Sequence, residues 1–145
     1  MLLTHKQIFD ILSYSVRNGD TQPINVYHAL MTAEGVSVLA GYHMRKTRKH
    51  MLAATELFYE QRNDILARHG LTIKDDQIAA VSGDVDEAAL AAALTEIDAL
   101  AEVVVDDVQA LRLSSLLALT GRAQELLIQY DALTVLEPLI ENDVD

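Results

Sequence analysis

The residues that could do chemistry in this chain gather by charge, not in the spacings that catalysis or metal binding needs. His43 and His50 are seven positions apart, two turns along one helix face. No nearby pair has the His-x-x-x-His spacing, with an acid between, that turns two imidazoles toward one metal. Asp75-Asp76 and Asp106-Asp107 are adjacent pairs, whereas carboxylates that share a metal come from separate elements or from positions i, i+3 or i+4. Asp84, Asp86 and Glu87 match half of a calcium loop, but the full acidic spacing and its closing bidentate Glu are missing. Helix capping is the expected role of these acids. There is no cysteine, no Gly-x-Ser-x-Gly and no Gly-rich phosphate loop. Ser114-Ser115 lies beside apolar residues with no expected histidine partner. The chain is therefore expected to hold no metal and no cofactor, to carry no catalytic residue and not to be an enzyme.

Charge is the strongest signal. Residues 1–74 carry 9 Lys/Arg and 6 Asp/Glu, while residues 75–145 carry 2 Lys/Arg (Arg112 and Arg122) and 16 Asp/Glu. The net charge is −11, and all five histidines lie in the first half. Such a division favours partners met by electrostatic complementarity over a catalytic pocket. The basic cluster is 43–50, with Arg45, Lys46, Arg48 and Lys49 as a candidate patch that could track phosphates. A net charge of −11 repels a polyanion, so direct nucleic-acid binding is not expected. The cluster reads as a helix face that pairs with the acidic half of the same or a neighbouring chain. A helix-turn-helix over 27–48, with Gly35 in the turn, fails at Gly41, where a branched apolar residue should be buried. Tyr42, Phe58 and Tyr59 fall at helical spacing and are expected in the core, not as a stacking platform. The acids Asp84, Asp86, Glu87, Glu96, Asp98, Glu102, Asp106 and Asp107 form a candidate partner-binding face. Spaced like phosphates, they could occupy the nucleic-acid groove of a basic protein.

The elements that must position these groups are mostly helices. Half the residues are apolar, with only two prolines and six glycines, enough for a core and too few breakers for a turn-rich β fold. A single domain over 1–145 is expected, with a frayed acidic tail at 142–145. Thr4-His5-Lys6-Gln7 is a capping box, and Ile8, Ile11, Leu12 and Val16 follow at helical spacing up to Asn18-Gly19. A short helix over 24–31 follows, and 35–41 is ambiguous between strand and helix. The clearest element is a long helix over 42–69. Its apolar stripe is Leu52, Thr55, Phe58, Tyr59, Arg62, Ile65, Leu66 and His69, with Glu56, Glu60 and Asp64 outside it. His69-Gly70 is the stop, and Lys74-Asp75-Asp76 opens a polar connection. A second capping box at 84–87 starts a helix with Leu90, Ala93, Leu94, Ile97, Leu100 and Ala101 on one side. Val103-Val104-Val105 and 108–113 are expected to pair as a small two-stranded element. A helix over 116–130 should break near Thr120-Gly121. Asp131 should cap a last helix that kinks or stops at Pro138. The fold class is mainly α, α+β at the margin: a small helical domain with one long central helix and a minor β-hairpin.

Four segments carry a resemblance. They are Thr4-His5-Lys6-Gln7-Ile8-Phe9, the run 56–66 before His69-Gly70, the run 102–106 leading to 108–113, and the run 131–141. In these the chain resembles a family of small bacteriophage proteins of unknown function, over about half its length. The region 20–41 and the Ala-rich run at 88–93 depart from that pattern. The resemblance implies a phage or prophage origin and an accessory role, and supplies no site residues.

The expected function is thus non-catalytic, that of a phage accessory or structural protein acting through protein–protein contacts. The alternative is an acidic inhibitor of a host defence or nucleic-acid-binding protein, working by nucleic-acid mimicry. The partner is a second copy, a host protein or another phage protein, with a homo-oligomer expected and a dimer favoured. No membrane segment or secretory signal is read. The expected location is the cytoplasm of the bacterial host cell, with the virion as a second place.

Overall fold

The computed structural model describes residues 3–17, 22–105 and 108–144. Within them the protein is mainly α, with short strand pairs. The first strand, β1 (Leu3–Thr4), runs straight into helix α1 (His5–Ser13). Thr4 and Gln7 form the expected capping box: the Gln7 amide donates to the Thr4 hydroxyl at 3.1 Å, and the Thr4 amide donates to the Gln7 side chain at 2.9 Å. Helix α1 closes at Ser13, earlier than the sequence suggests, and the Asn18-Gly19 stop lies outside the described residues. Strands β2 (Ser15–Val16) and β3 (Ile24–Asn25) then pair antiparallel. Asn25 caps helix α2 (Val26–Thr32) by accepting from the His28 amide at 3.0 Å.

The long helix α3 (Val38–Arg68) has 31 residues, which at about 1.5 Å each makes a rod of about 46 Å. Ser37 caps it by accepting from the Ala40 amide at 3.1 Å. The ambiguity over 35–41 is thereby settled as turn and helix. The buried stripe of α3 is the expected one at Phe58, Ile65 and Leu66 and differs elsewhere. It runs through Ala40, Met44, Thr47, Met51, Ala54, Phe58, Ile65 and Leu66. Leu52 and Tyr59 are exposed, and Thr55, Arg62 and His69 are half-buried. At Thr47 another segment's backbone comes close. The fully buried Thr47 hydroxyl donates to the Gln109 carbonyl at 2.8 Å, a contact that a large side chain would block.

A hairpin follows, β4 (Leu71–Lys74) and β5 (Gln77–Ala80). Its turn is Asp75-Asp76, at φ 51° and 61°, the doubly left-handed geometry of a tight hairpin turn. The sequence reading has only a polar connection here. Helix α4 (Glu87–Ala101) is capped by Asp86, which accepts from the Ala88 amide at 3.0 Å. Leu90, Ala93, Ile97 and Leu100 pack with Ile65, Leu66, Leu71, Ile73 and Ile78 in a cluster at the C-terminal end of α3. Leu94, expected on that side, is exposed.

The expected pairing of 103–105 with 108–113 does not occur. Strand β6 (Val104–Val105) pairs antiparallel with β1, and β7 (Leu111–Arg112) pairs parallel with β8 (Ile140–Glu141). Both partners are distant in sequence, so no local pattern announces them. Between β7 and β8 lie α5 (Leu113–Leu117), α6 (Gly121–Gln129) and α7 (Ala132–Leu136). The break at Thr120-Gly121 is as expected. Pro138 ends α7 in a 3-10 turn over Glu137–Leu139, consistent with its missing donor and ring clash. Asp131 stands at the N-cap position of α7, as expected, at φ 50°, but its carboxylate accepts from the Thr134 hydroxyl at 2.9 Å and makes no bond to the helix backbone. Asp143 accepts from both the amide and the hydroxyl of Ser114, which ties the acidic end to α5.

The main core collects Ile8 and Ile11 of α1, Tyr27 and Leu30 of α2, Met44 and Met51 of α3, and Leu116, Leu127 and Leu136 of the last helices. The buried Tyr27 hydroxyl donates to the Met44 carbonyl at 2.7 Å. Burial pushes its phenol well above the ordinary tyrosine value, against the pull of Arg48. The turn between α2 and α3 docks on the corner between α5 and α6 through backbone hydrogen bonds. The Thr120 amide donates to the Gly35 carbonyl at 3.2 Å, and the Ala123 amide donates to the Glu34 carbonyl at 2.9 Å.

Candidate functional site

Because α3 turns about 100° per residue, a buried stripe along one side sends the opposite side outward. That outer ridge is exposed from end to end. Val38 is 93% exposed at its start and Tyr42 is 58% exposed. Arg45, Lys46 and Lys49 follow, then the small Ala53, then Glu56, Glu60 and Asp64, all exposed. The ridge is thus basic in one half and acidic in the other. The sequence reading leaves the three acids as mere solvated positions. The available signal was their i, i+4, i+8 spacing behind a basic run at the same phase of one helix.

The candidate basic patch is only partly one surface. Arg45, Lys46 and Lys49 stand on the ridge. Arg48 is half-buried, beside His28 of α2 and near the Tyr27 phenol. All four line an open groove of about 480 Å³ with Met31 and Tyr42. Among the described residues none of them forms an ion pair; the pairs there are His69 with Glu96 at 2.6 Å and Arg122 with Glu125 at 3.2 Å.

The candidate acidic face is divided. Asp84, Asp86, Glu87, Glu96, Asp98 and Glu102 are exposed, and Asp106 and Asp107 lie outside the described residues. By helix rotation, Glu87, Asp98 and Glu102 fall within about 60° of one another on one flank of α4. Glu96 lies on the opposite flank, where it meets His69 of α3. Asp86 is engaged in capping.

The histidines are also dispersed. The His5 ring nitrogen Nδ1 lies 3.0 Å from the Val103 carbonyl, and His43 Nδ1 lies 2.9 Å from the Gln109 amide. No group of three metal-binding side chains occurs among the described residues. A small cavity of about 50 Å³ is lined by His43, Met44, Gln109, Arg112 and Ser115 among others, room for a few waters. Of the aromatic residues expected in the core, Phe58 is buried, while Tyr42 and Tyr59 are exposed. Phe9 meets Phe58 edge to face at 4.7 Å, and the Arg62 guanidinium lies over the Tyr59 ring at 4.7 Å. The cluster at that point is an aromatic–cation edge and not a closed core.

No protein-family model, no curated protein and no solved structure matches the chain. No helix among the described residues is long and apolar enough to cross a membrane.

Proposed function

We propose that the protein works without catalysis, by binding another protein along the outer ridge of α3. One observation carries this reading. Arg45, Lys46 and Lys49 and then Glu56, Glu60 and Asp64 stand exposed on one face of a rigid helix, and none of them is in an ion pair among the described residues. Charges held this way cost little in the free protein and gain most when a surface of complementary pattern meets them. The apolar side chains Leu52, Leu57 and Tyr42 break the ridge's polarity, as the centre of a protein interface does. The accessory role in phage infection belongs to this proposal through the sequence resemblance alone.

A photo-crosslinking residue at Ala53 tests the reading in extracts of the producing cell. Covalent adducts to a protein at that position are expected, and charge reversal at Lys46 and Lys49 should reduce them. Absence of any protein adduct at Ala53, with adducts obtained from a control position on another face, would refute it.

A further inference from the structure

We propose that the partner of this ridge is a second copy of the chain, packed α3 against α3, antiparallel, about a two-fold axis at Ala53. The inference rests on the ridge being a protein-binding surface and goes on to name what it binds. The charges are arranged around one point. Lys46 and Glu60 lie seven residues on either side of Ala53, and Tyr42 and Asp64 lie eleven on either side. Lys49 and Glu56 lie four before it and three after it. An antiparallel two-fold axis at Ala53 sets each position beside the one equally far on the other side. Lys46 of one copy then faces Glu60 of the other and the Tyr42 hydroxyl faces Asp64, while Lys49 stands opposite Leu57, one residue from Glu56. Each contact occurs twice, as a two-fold interface requires.

The centre fits close approach. Ala53 is the small residue where the axes cross, and helices with small contacts approach to about 8 Å. Leu52, 36% exposed, and Leu57, 52% exposed, flank it and would supply apolar contact on both sides. Parallel pairing puts the cations of one copy against the cations of the other and is excluded by its own charge. A contact between the basic half and α4 of another copy would engage Glu87, Asp98 and Glu102 on one flank but would leave the acidic half of the ridge unmatched. The antiparallel contact is closed, so assembly stops at two chains.

The test is the mass in solution, by light scattering after size exclusion, of the full chain and its ridge variants. The wild type is expected at twice the 16.0 kDa of one chain. Lys46→Glu with Lys49→Glu leaves Arg45 as the one cation among the named ridge charges, and Glu56→Lys with Glu60→Lys leaves Asp64 as the one acid. Each double variant is expected to dimerise on the order of a hundredfold more weakly, because every reversal acts twice across the axis. An equimolar mixture of the two should form a heterodimer, and the fourfold variant should form a homodimer again. The chain has no cysteine, so single cysteines report geometry cleanly. Ala53→Cys is expected to oxidise to a linked dimer. Tyr42→Cys alone should not, but Tyr42→Cys mixed with Asp64→Cys should.

A wild type that stays at the mass of one chain overturns the proposal, as does a dimer indifferent to both double reversals. Self-linking by Tyr42→Cys alone also overturns it, by showing the parallel arrangement. Retardation of DNA or RNA by a monomeric wild type, lost on reversing Lys46 and Lys49, overturns it in favour of a nucleic-acid surface. A monomer that still crosslinks at Ala53 to a different protein overturns self-pairing and leaves the broader function standing.

Discussion

Replacing Gly35 with alanine is expected to lower the melting temperature by about 10 °C, and the magnitude follows from the docked turn between α2 and α3. Gly35 sits at φ +100°, where an L side chain costs roughly 1–2 kcal/mol. The added Cβ would stand 1.7 Å from the Thr120 carbonyl oxygen. Both atoms are held by backbone, so no flexible side chain can move aside. The turn must withdraw from the corner between α5 and α6, which breaks the bonds from Thr120 to Gly35 and from Ala123 to Glu34. Two backbone hydrogen bonds contribute about 1 kcal/mol each. The total is about 4 kcal/mol, and each kcal/mol moves a domain of this size by about 2–4 °C. Gly70 supplies the control. It sits at φ +71° with nothing within 4 Å of its added Cβ, so Gly70→Ala carries the conformational cost alone, about 3–5 °C. Thermal unfolding followed by far-ultraviolet circular dichroism measures both. If Gly35→Ala melts within about 2 °C of Gly70→Ala, the backbone docking of the turn is not there.

Two further outcomes test other parts of the molecule. Asp76→Gly is expected to raise the melting temperature by about 1–3 °C, because glycine relieves the left-handed strain at φ 61° by more than it costs in unfolded-chain entropy; a decrease would contradict the turn geometry of the β4–β5 hairpin. The Ser114 hydroxyl and then its amide hold the Asp143 carboxyl below the ordinary aspartate value. A lowered folded-state value means the contact contributes above the ordinary value and is lost as pH falls through the lowered one. The Ser114 amide resonance should therefore move in acid below the ordinary aspartate range, and Asp143→Asn should flatten that titration; an amide that titrates normally in both proteins rules the contact out.

Short-range chemistry is written in the chain's letters. The α1 capping box needs only Thr4 and Gln7 three residues apart, and it formed as read. The mainly helical class, the long helix, its stop at His69-Gly70, the break at Thr120-Gly121 and the arrest at Pro138 are equally local, because they follow from caps, breakers and periodicity along the chain. The charge division and the exposed carboxylates were also legible, since carboxylates stay in water wherever the chain puts them. Tertiary structure alone decided the rest. The face of α3 that turned inward depended on segments far away. Gln109 came close to Thr47 on the buried face, and Leu52 and Tyr59 were left outside. Val104–Val105 and Leu111–Arg112 found partners at the two ends of the chain because pairing energy does not record sequence distance. The candidate site shows the same division. Its charges were visible as letters, but helix rotation separated Glu96 from Glu87, Asp98 and Glu102. The inward turn of the stripe at Met44, Thr47 and Met51 left Arg45, Lys46 and Lys49 in line with Glu56, Glu60 and Asp64. A ridge exists only once its opposite face is buried, and burial is a property of the folded whole.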